Sequence, residues 1–375
     1  MSLREQVVSG VAWSTLARAL QQAAQILLSV LLARLLVPND FGLIGMVMVF
    51  SGFADSLADF GFRSALVEKR ILEERHVYSI FWLTLFIGGV LTTLFVLLSP
   101  YIAAFYSEPV LTPICQFLAF NYLLGSFGIV PRALMQRRMA FRHLAGVEII
   151  ITFLSAALAL SLAVLGWGVW SLVAHILGGG FARNMMFFLL CGWRPRFAFS
   201  FHAVKELFHY SINLVGFGVV NYWARNADDL LIGKLFGAAA LGIYNRAYAL
   251  MLLPISQLIS VVTDVMFTAL SSIQDDKNRT KRLYLRAMGL ITLLSFPIMA
   301  GMFVVAEPFI LSLYGAQWVA VAPILQILCI VGLLQSLTSP TGWIYTSQGK
   351  TDWMFWWGIF GSTTLVLGIV AGAPF

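Results

Sequence analysis

The chain has 375 residues, of which 60% are hydrophobic and 11% charged, with a net charge of +7 and a mean hydropathy of +0.87. Soluble globular chains carry about 25% charged residues, so an ordinary soluble protein is excluded. The apolar residues gather into runs of about 20, the length that crosses a hydrocarbon core about 30 Å thick, and eleven such runs are predicted.

The first run, Gly10–Leu36, carries Ser14, Arg18, Gln21, Gln22, Gln25 and Ser29 at steps of three or four, which puts them on one helical face. A charge at the bilayer centre costs roughly 2.5 kcal/mol or more, so polar groups inside such runs are read as lining a cavity. The second run, Phe41–Phe62, carries Ser51, Asp55 and Asp59 on one face. Asp59 also stands four residues before Arg63, the spacing of an end-of-helix ion pair. The third and fourth, Val77–Ser99 and Val110–Val130, hold no charge, and the fifth covers Gly146–Leu165. The sixth, Gly168–Cys191, contains Gly178-Gly179-Gly180, which permits close helix packing, and Arg183-Asn184. The seventh, Leu207–Ala227, carries Asn213, Asn221 and Arg225, with Asp228 and Asp229 just beyond. An ion pair of Arg225 with either aspartate near the outer surface is an open alternative to a cavity role. Arg246, Pro254 and Asp264 lie in the eighth, Leu241–Met266, and Pro297 in the ninth, Leu283–Val305. Arg34, Arg183 and Arg246 lie within about two turns of a run's end, where snorkelling to the interface accounts for them equally well. The tenth and eleventh, Val319–Leu337 and Trp353–Ala371, are free of charge, and Trp167, Trp170, Trp353, Trp356 and Trp357 near run ends suit an aromatic belt.

The runs repeat. Arg34 and Phe41-Gly42 are echoed 200 positions later by Lys234 and Leu241-Gly242. Ser64-Ala65-Leu66 is echoed by Thr268-Ala269-Leu270, Ser99-Pro100 by Glu307-Pro308, and Val130-Pro131 by Ser339-Pro340. Gln21 falls over Asn221 and Gln25 over Arg225. Six runs precede Cys191, so the unit is six helices, and an even unit makes the halves parallel repeats. The expected organisation is a bundle over residues 1–191, a basic linker over 192–205, and a second bundle over 206–375 that lacks its sixth helix. That shortfall is read as a truncation, in preference to a last helix borrowed from a partner.

Basic residues alternate between loops. Arg4 stands with Arg63, Lys69, Arg70, Arg75, then Arg132, Arg137, Arg138, Arg142, then Arg194, Arg196, Lys205, and then Lys277 to Arg286 and Lys350, while the opposite loops hold only Lys234. By the positive-inside rule the N-terminus is cytoplasmic. The excess charge is thereby a topology signal, and no nucleic-acid partner is expected. Cys115, Cys191 and Cys329 are read as small hydrophobes. No cleavable signal peptide, metal site or cofactor is expected, and the sequence lacks HExxH, GxSxG, P-loop and CxxC patterns, so an enzyme is not expected.

Leu32-Ala33-Arg34-Leu35-Leu36-x-Pro-x-Asp40-Phe41-Gly42 resembles the signature ending the first helix of Wzx-type polysaccharide flippases. Asp59-Phe60-Gly61-Phe62 with Ala65-Leu66 fits the same family, as do Arg225-Asn226-x-Asp228, Ile232-Gly233 and Leu241-Gly242-x-Tyr244. The resemblance covers essentially the whole chain and is strongest to the colanic-acid exporter-like branch of the multidrug/oligosaccharidyl-lipid/polysaccharide superfamily. It implies an all-α, polytopic protein of two six-helix bundles around a central cavity. The implied activity is movement of undecaprenyl-pyrophosphate-linked repeat units across a bacterial inner membrane. The partners would be that lipid-linked oligosaccharide and the bilayer, with polysaccharide polymerase or export machinery as a candidate protein partner. The substrate path would then be lined by Arg18, Gln21, Gln22, Gln25, Asp55, Asn213, Asn221, Arg225, Asp228 and Arg246. Two other readings stay open: a drug or metabolite antiporter of the same superfamily, favoured by Asp55, Asp59 and Asp264, and a truncated membrane protein that does not transport.

Overall fold

A computed structural model describes residues 3–59, 62–69, 72–202, 204–205, 222–223, 225–272 and 276–347, together with 353, 356–358, 361, 364 and 368. All regular structure among the described residues is helical. The helices are α1 (Leu3–Leu35), α2 (Pro38–Asp59), α3 (Phe62–Glu68), α4 (Glu74–Tyr106), α5 (Leu111–Arg137), α6 (Phe141–Val164) and α7 (Val169–Cys191). They continue with α8 (Ala227–Ser272), α9 (Lys277–Val304), α10 (Ala306–Leu313), a 3-10 turn (Ala316–Trp318), α11 (Val321–Thr338) and α12 (Thr341–Ser347). Seven stretches among the described residues are long and apolar enough to cross a membrane: α4, α5, α6, α7, Ala227–Ile259, α9 and Val321–Tyr345. The chain is a polytopic helical membrane protein. Most of the predicted runs Leu207–Ala227 and Trp353–Ala371, with Asn213 and Asn221, lies outside the described residues.

Contacts divide the chain into two compact units, Met1–Ala238 and Ala239–Phe375. The division falls beside Gly237, whose φ of 83° and ψ of 179° break α8, a conformation open to glycine because it has no Cβ. The expected boundary at 192–205 follows the sequence echo, a different criterion, and the described residues of that linker belong to the first unit. They lie along the start of α4. The Trp82 indole N–H donates to the Arg196 carbonyl at 2.9 Å, and its ring stacks on Phe197 with centroids 4.6 Å apart. The Ser200 N–H donates to Ser79 Oγ at 2.8 Å.

In the first unit α5 is the hub: α2, α3, α4, α6 and α7 all pack on it, while α1 packs on α6. The sequence allows this through small residues at crossings. A Cβ on Gly88 of α4 would stand 2.8 Å from the Tyr122 carbonyl oxygen of α5 and 2.1 Å from Ser126 Oγ, so only glycine admits that approach. Phe62, Ala65 and Leu66 of α3, Ile80 and Phe81 of α4, Val130 and Ala133 of α5, Ile151 of α6 and Phe187 of α7 form one buried cluster. Asp40, from the Pro-x-Asp-Phe-Gly signature, ties two helix starts together. Its carboxylate accepts the Val37 N–H at 3.3 Å and also the Val169 N–H at the beginning of α7.

Several helices overrun their apolar runs at one end, and α4 does so at both. The third run was expected to stop at Ser99-Pro100, but α4 continues to Tyr106. Pro100 has no N–H for the Val96 carbonyl, and Ser99 Oγ donates to that carbonyl instead at 2.7 Å. Hydroxyls satisfy freed backbone groups in this way where no water is available. Arg132, Arg137 and Arg138 were assigned to a loop; Arg132 and Arg137 lie within α5 and Arg138 caps it. Backbone hydrogen bonding does not stop where the side chains turn polar. Arg137 donates to the Leu66, Val67 and Lys69 carbonyls at 3.1, 3.2 and 2.5 Å, and Arg138 to the Cys191 carbonyl at 3.0 Å, so each caps the end of another helix.

In the second unit, α9 packs on α11, with α10 contacting both. Met266, Leu270, Ala287, Ile291 and Trp343 form its buried cluster. Trp318 in the 3-10 turn is fully buried, and Tyr314 packs on it with ring centroids 5.9 Å apart. Gln326 of α11 donates its side-chain amide to the Phe303 carbonyl at 3.1 Å.

Candidate functional site

Two residues of the lead helix's polar stripe line a cavity of about 230 Å³ in the first unit. Arg18 and Gln21 line it from α1, Arg132 and Gln136 from α5, and Phe141, Leu144, Ala145 and Glu148 from α6. The spacing explains the set. Arg132 and Gln136 are i and i+4 on one face of α5, and the four α6 residues fall at steps of three, one and three on one face. Because α1 and α5 both pack on α6, these three faces meet.

Glu148 organises the charges. Its Oε1 lies 3.3 Å from Arg132 Nη2, and its Oε2 lies 3.0 Å from Arg183 Nε of α7. Arg183 Nε makes no aligned hydrogen bond, so this second contact is an ion pair by distance and not a directed bond. The Arg132 guanidinium also sits over the Phe187 ring at 5.5 Å, an arrangement favoured by the ring quadrupole. Arg18 is exposed at the cavity, while Gln21 and Glu148 are half-buried. Arg142 stands over the Trp13 ring at 5.4 Å, joining α6 to α1. Arg132 and Arg183 thus share a single carboxylate, Glu148, and with Arg18 lining the same cavity the site carries a positive excess. Guanidinium forks and side-chain amides are the groups that bind oxyanions and sugar hydroxyls.

The predicted residues separate. Arg18 and Gln21 share the cavity; Gln22 on the same helix is half-buried, and Gln25 is exposed one turn further on. Asp55 is exposed on α2, and Arg225 is exposed ahead of half-buried Asp228. Arg246 belongs to the second unit, where it hydrogen-bonds the Tyr314 hydroxyl. Arg183, for which snorkelling was the equal alternative, pairs with Glu148. Sequence reasoning missed Arg132, Gln136 and Glu148. The available signal was Glu148 itself, an acid three residues into an apolar run and seven after Phe141.

Comparison with known proteins places the fold and the family. The lipopolysaccharide biosynthesis protein WzxC of Escherichia coli (strain K12) is 29% identical, over 99% of this chain and 76% of that protein. The teichuronic acid biosynthesis protein TuaB of Bacillus subtilis (strain 168) is also 29% identical, over 95% of this chain and 74% of that protein. Among solved structures, the lipid II flippase MurJ in an inward closed conformation superposes with a TM-score of 0.76 at 14% identity, covering 97% of this chain and 81% of that one. An inward-facing multidrug resistance MATE family transporter superposes with a TM-score of 0.70 at 13% identity, covering 91% and 84%. At such identities the likeness is one of fold. The family model described as polysaccharide biosynthesis protein matches residues 31–323, so the chain belongs to that family.

Proposed function

We propose that this protein is a flippase that carries a lipid-linked oligosaccharide, a sugar repeat unit on undecaprenyl pyrophosphate, from the cytoplasmic to the outer leaflet of a bacterial inner membrane. The observation that carries the reading is the cavity of the first unit, where Arg18 and Arg132 converge with Gln21 and Gln136. Its volume of about 230 Å³ lies below the ~300–1,000 Å³ of drug-sized pockets. It therefore suits a pyrophosphate head group and not a whole repeat unit. Glu148 holds Arg132 and Arg183 until an anionic head group competes for them. Gln22, Gln25, Asp55, Arg225, Asp228 and Arg246, with Asn213 and Asn221, serve as further contacts along the path. The N-terminus is cytoplasmic, and residues 1–191 and 206–375 form the two repeats of an eleven-helix chain.

The test is export in cells lacking their own flippase. Arg18→Ala and Arg132→Ala, singly, are expected to cut surface polysaccharide about tenfold, the effect of ~1.4 kcal/mol, with membrane abundance unchanged. Arg132→Lys retains part, since charge survives without the fork. Normal export by both alanine variants overturns the reading.

A further inference from the structure

A second cavity of about 500 Å³ lies on the first unit, lined from α2, α4 and Leu230 by side chains that are almost entirely apolar. Its α4 wall runs from Leu91 to Phe105, about 21 Å at ~1.5 Å per residue. One leaflet of the hydrocarbon core measures only about 15 Å. Phe50, Phe53, Phe95, Tyr101 and Phe105 give it an aromatic lining, and Tyr101 is 72% exposed. At its end stands Lys234, one turn after Leu230 on the same face. The exposed Lys234 ammonium donates to the Phe105 carbonyl and lies 5.1 Å from the Phe105 ring centroid. An ammonium carries three donors, so this anchoring aims the group while leaving it able to meet an anion. By the loop charges, Lys234 is the sole basic residue of the outer loops.

We infer that this groove is a binding site for a polyprenyl phosphate, with the phosphate on Lys234 and the hydrocarbon chain along α4. The charge selects an anionic head. The length selects a tail longer than one leaflet, and ring faces suit a chain that bears methyl branches throughout. The inference rests on the flippase reading and its orientation, because it assigns the groove to the carrier lipid on the outer side, apart from the Arg18–Arg132 cavity.

The experiment measures binding without transport. The full chain in phosphatidylcholine nanodiscs is irradiated with a diazirine-tagged polyprenyl monophosphate, and the labelled peptides are mapped. Label is expected on α2 and α4, competed by untagged polyprenyl phosphate but not by equimolar phosphatidylglycerol. Lys234→Ala should weaken labelling about fivefold, Lys234→Arg should preserve it, and Leu98→Trp, which fills the groove, should abolish it. Equal competition by phosphatidylglycerol would show a site for bulk anionic lipid and overturn the proposal, as would labelling indifferent to Lys234→Ala. The two readings fail separately: normal export by the Arg18 and Arg132 variants sinks the flippase reading, and an unlabelled groove sinks only this one.

Discussion

Glu148 is the residue on which the charges of the cavity turn. It is 20% exposed at its side chain and pairs with two guanidiniums that are 36% and 39% exposed. Pairs this open are each worth about 1 kcal/mol or less, far short of a fully buried ion pair. Glu148→Gln leaves Arg132 and Arg183 facing each other without their shared carboxylate. The purified variant should melt a few degrees lower, and Glu148→Gln with Arg183→Gln should recover part of the loss, because one of the two repelling cations is gone. A double variant no more stable than the single one would show that Arg183 contributes nothing through Glu148. At this scale the sequence was legible for Arg18 and Gln21, since a polar stripe at helical steps is a property of one helix. Arg132 was not, because it follows Pro131 at the end of an apolar run, with Arg137, Arg138 and Arg142 soon after, which reads as loop, while its partner Glu148 lies across a turn.

Ser99 and Pro100 show how an element can run past its own stop signal. The Ser99 hydroxyl takes the Val96 carbonyl that Pro100 leaves unpaired. Removing it strands that carbonyl in an apolar setting, at a cost of about 1 kcal/mol. Ser99→Ala should therefore lower thermal stability slightly, and Ser99→Ala with Pro100→Ala should restore it by returning the backbone donor. Equal melting of all three proteins would remove the hydroxyl from the account. Helix existence was legible for α4 to α7 because each needs about 20 apolar residues. Helix ends were not, since α4 continues past Pro100 to Tyr106 and α5 continues through arginines, of which Arg137 caps α3.

For the whole molecule, topology gives the decisive test. Reporter fusions at residues 70, 137, 200 and 279 should report the cytoplasm, and fusions at 104, 235 and 312 the outer side. An outer-side signal at 200 would break the alternation of loop charges on which the orientation stands. Composition and run length by themselves determined that the chain is helical and membrane-embedded, because each spanning segment must satisfy its own backbone bonds in lipid and so carries its own signal. The signature around Asp40-Phe41-Gly42 pointed likewise to the family. Only the tertiary structure decided that α1, α5 and α6 turn Arg18, Gln21, Arg132, Gln136 and Glu148 toward one cavity. It also decided that Lys234 is held on Phe105 from 129 residues away. Periodicity states which face of a helix is polar but not which helix that face will meet. Meeting depends on packing among several helices at once, and no single stretch of chain encodes it.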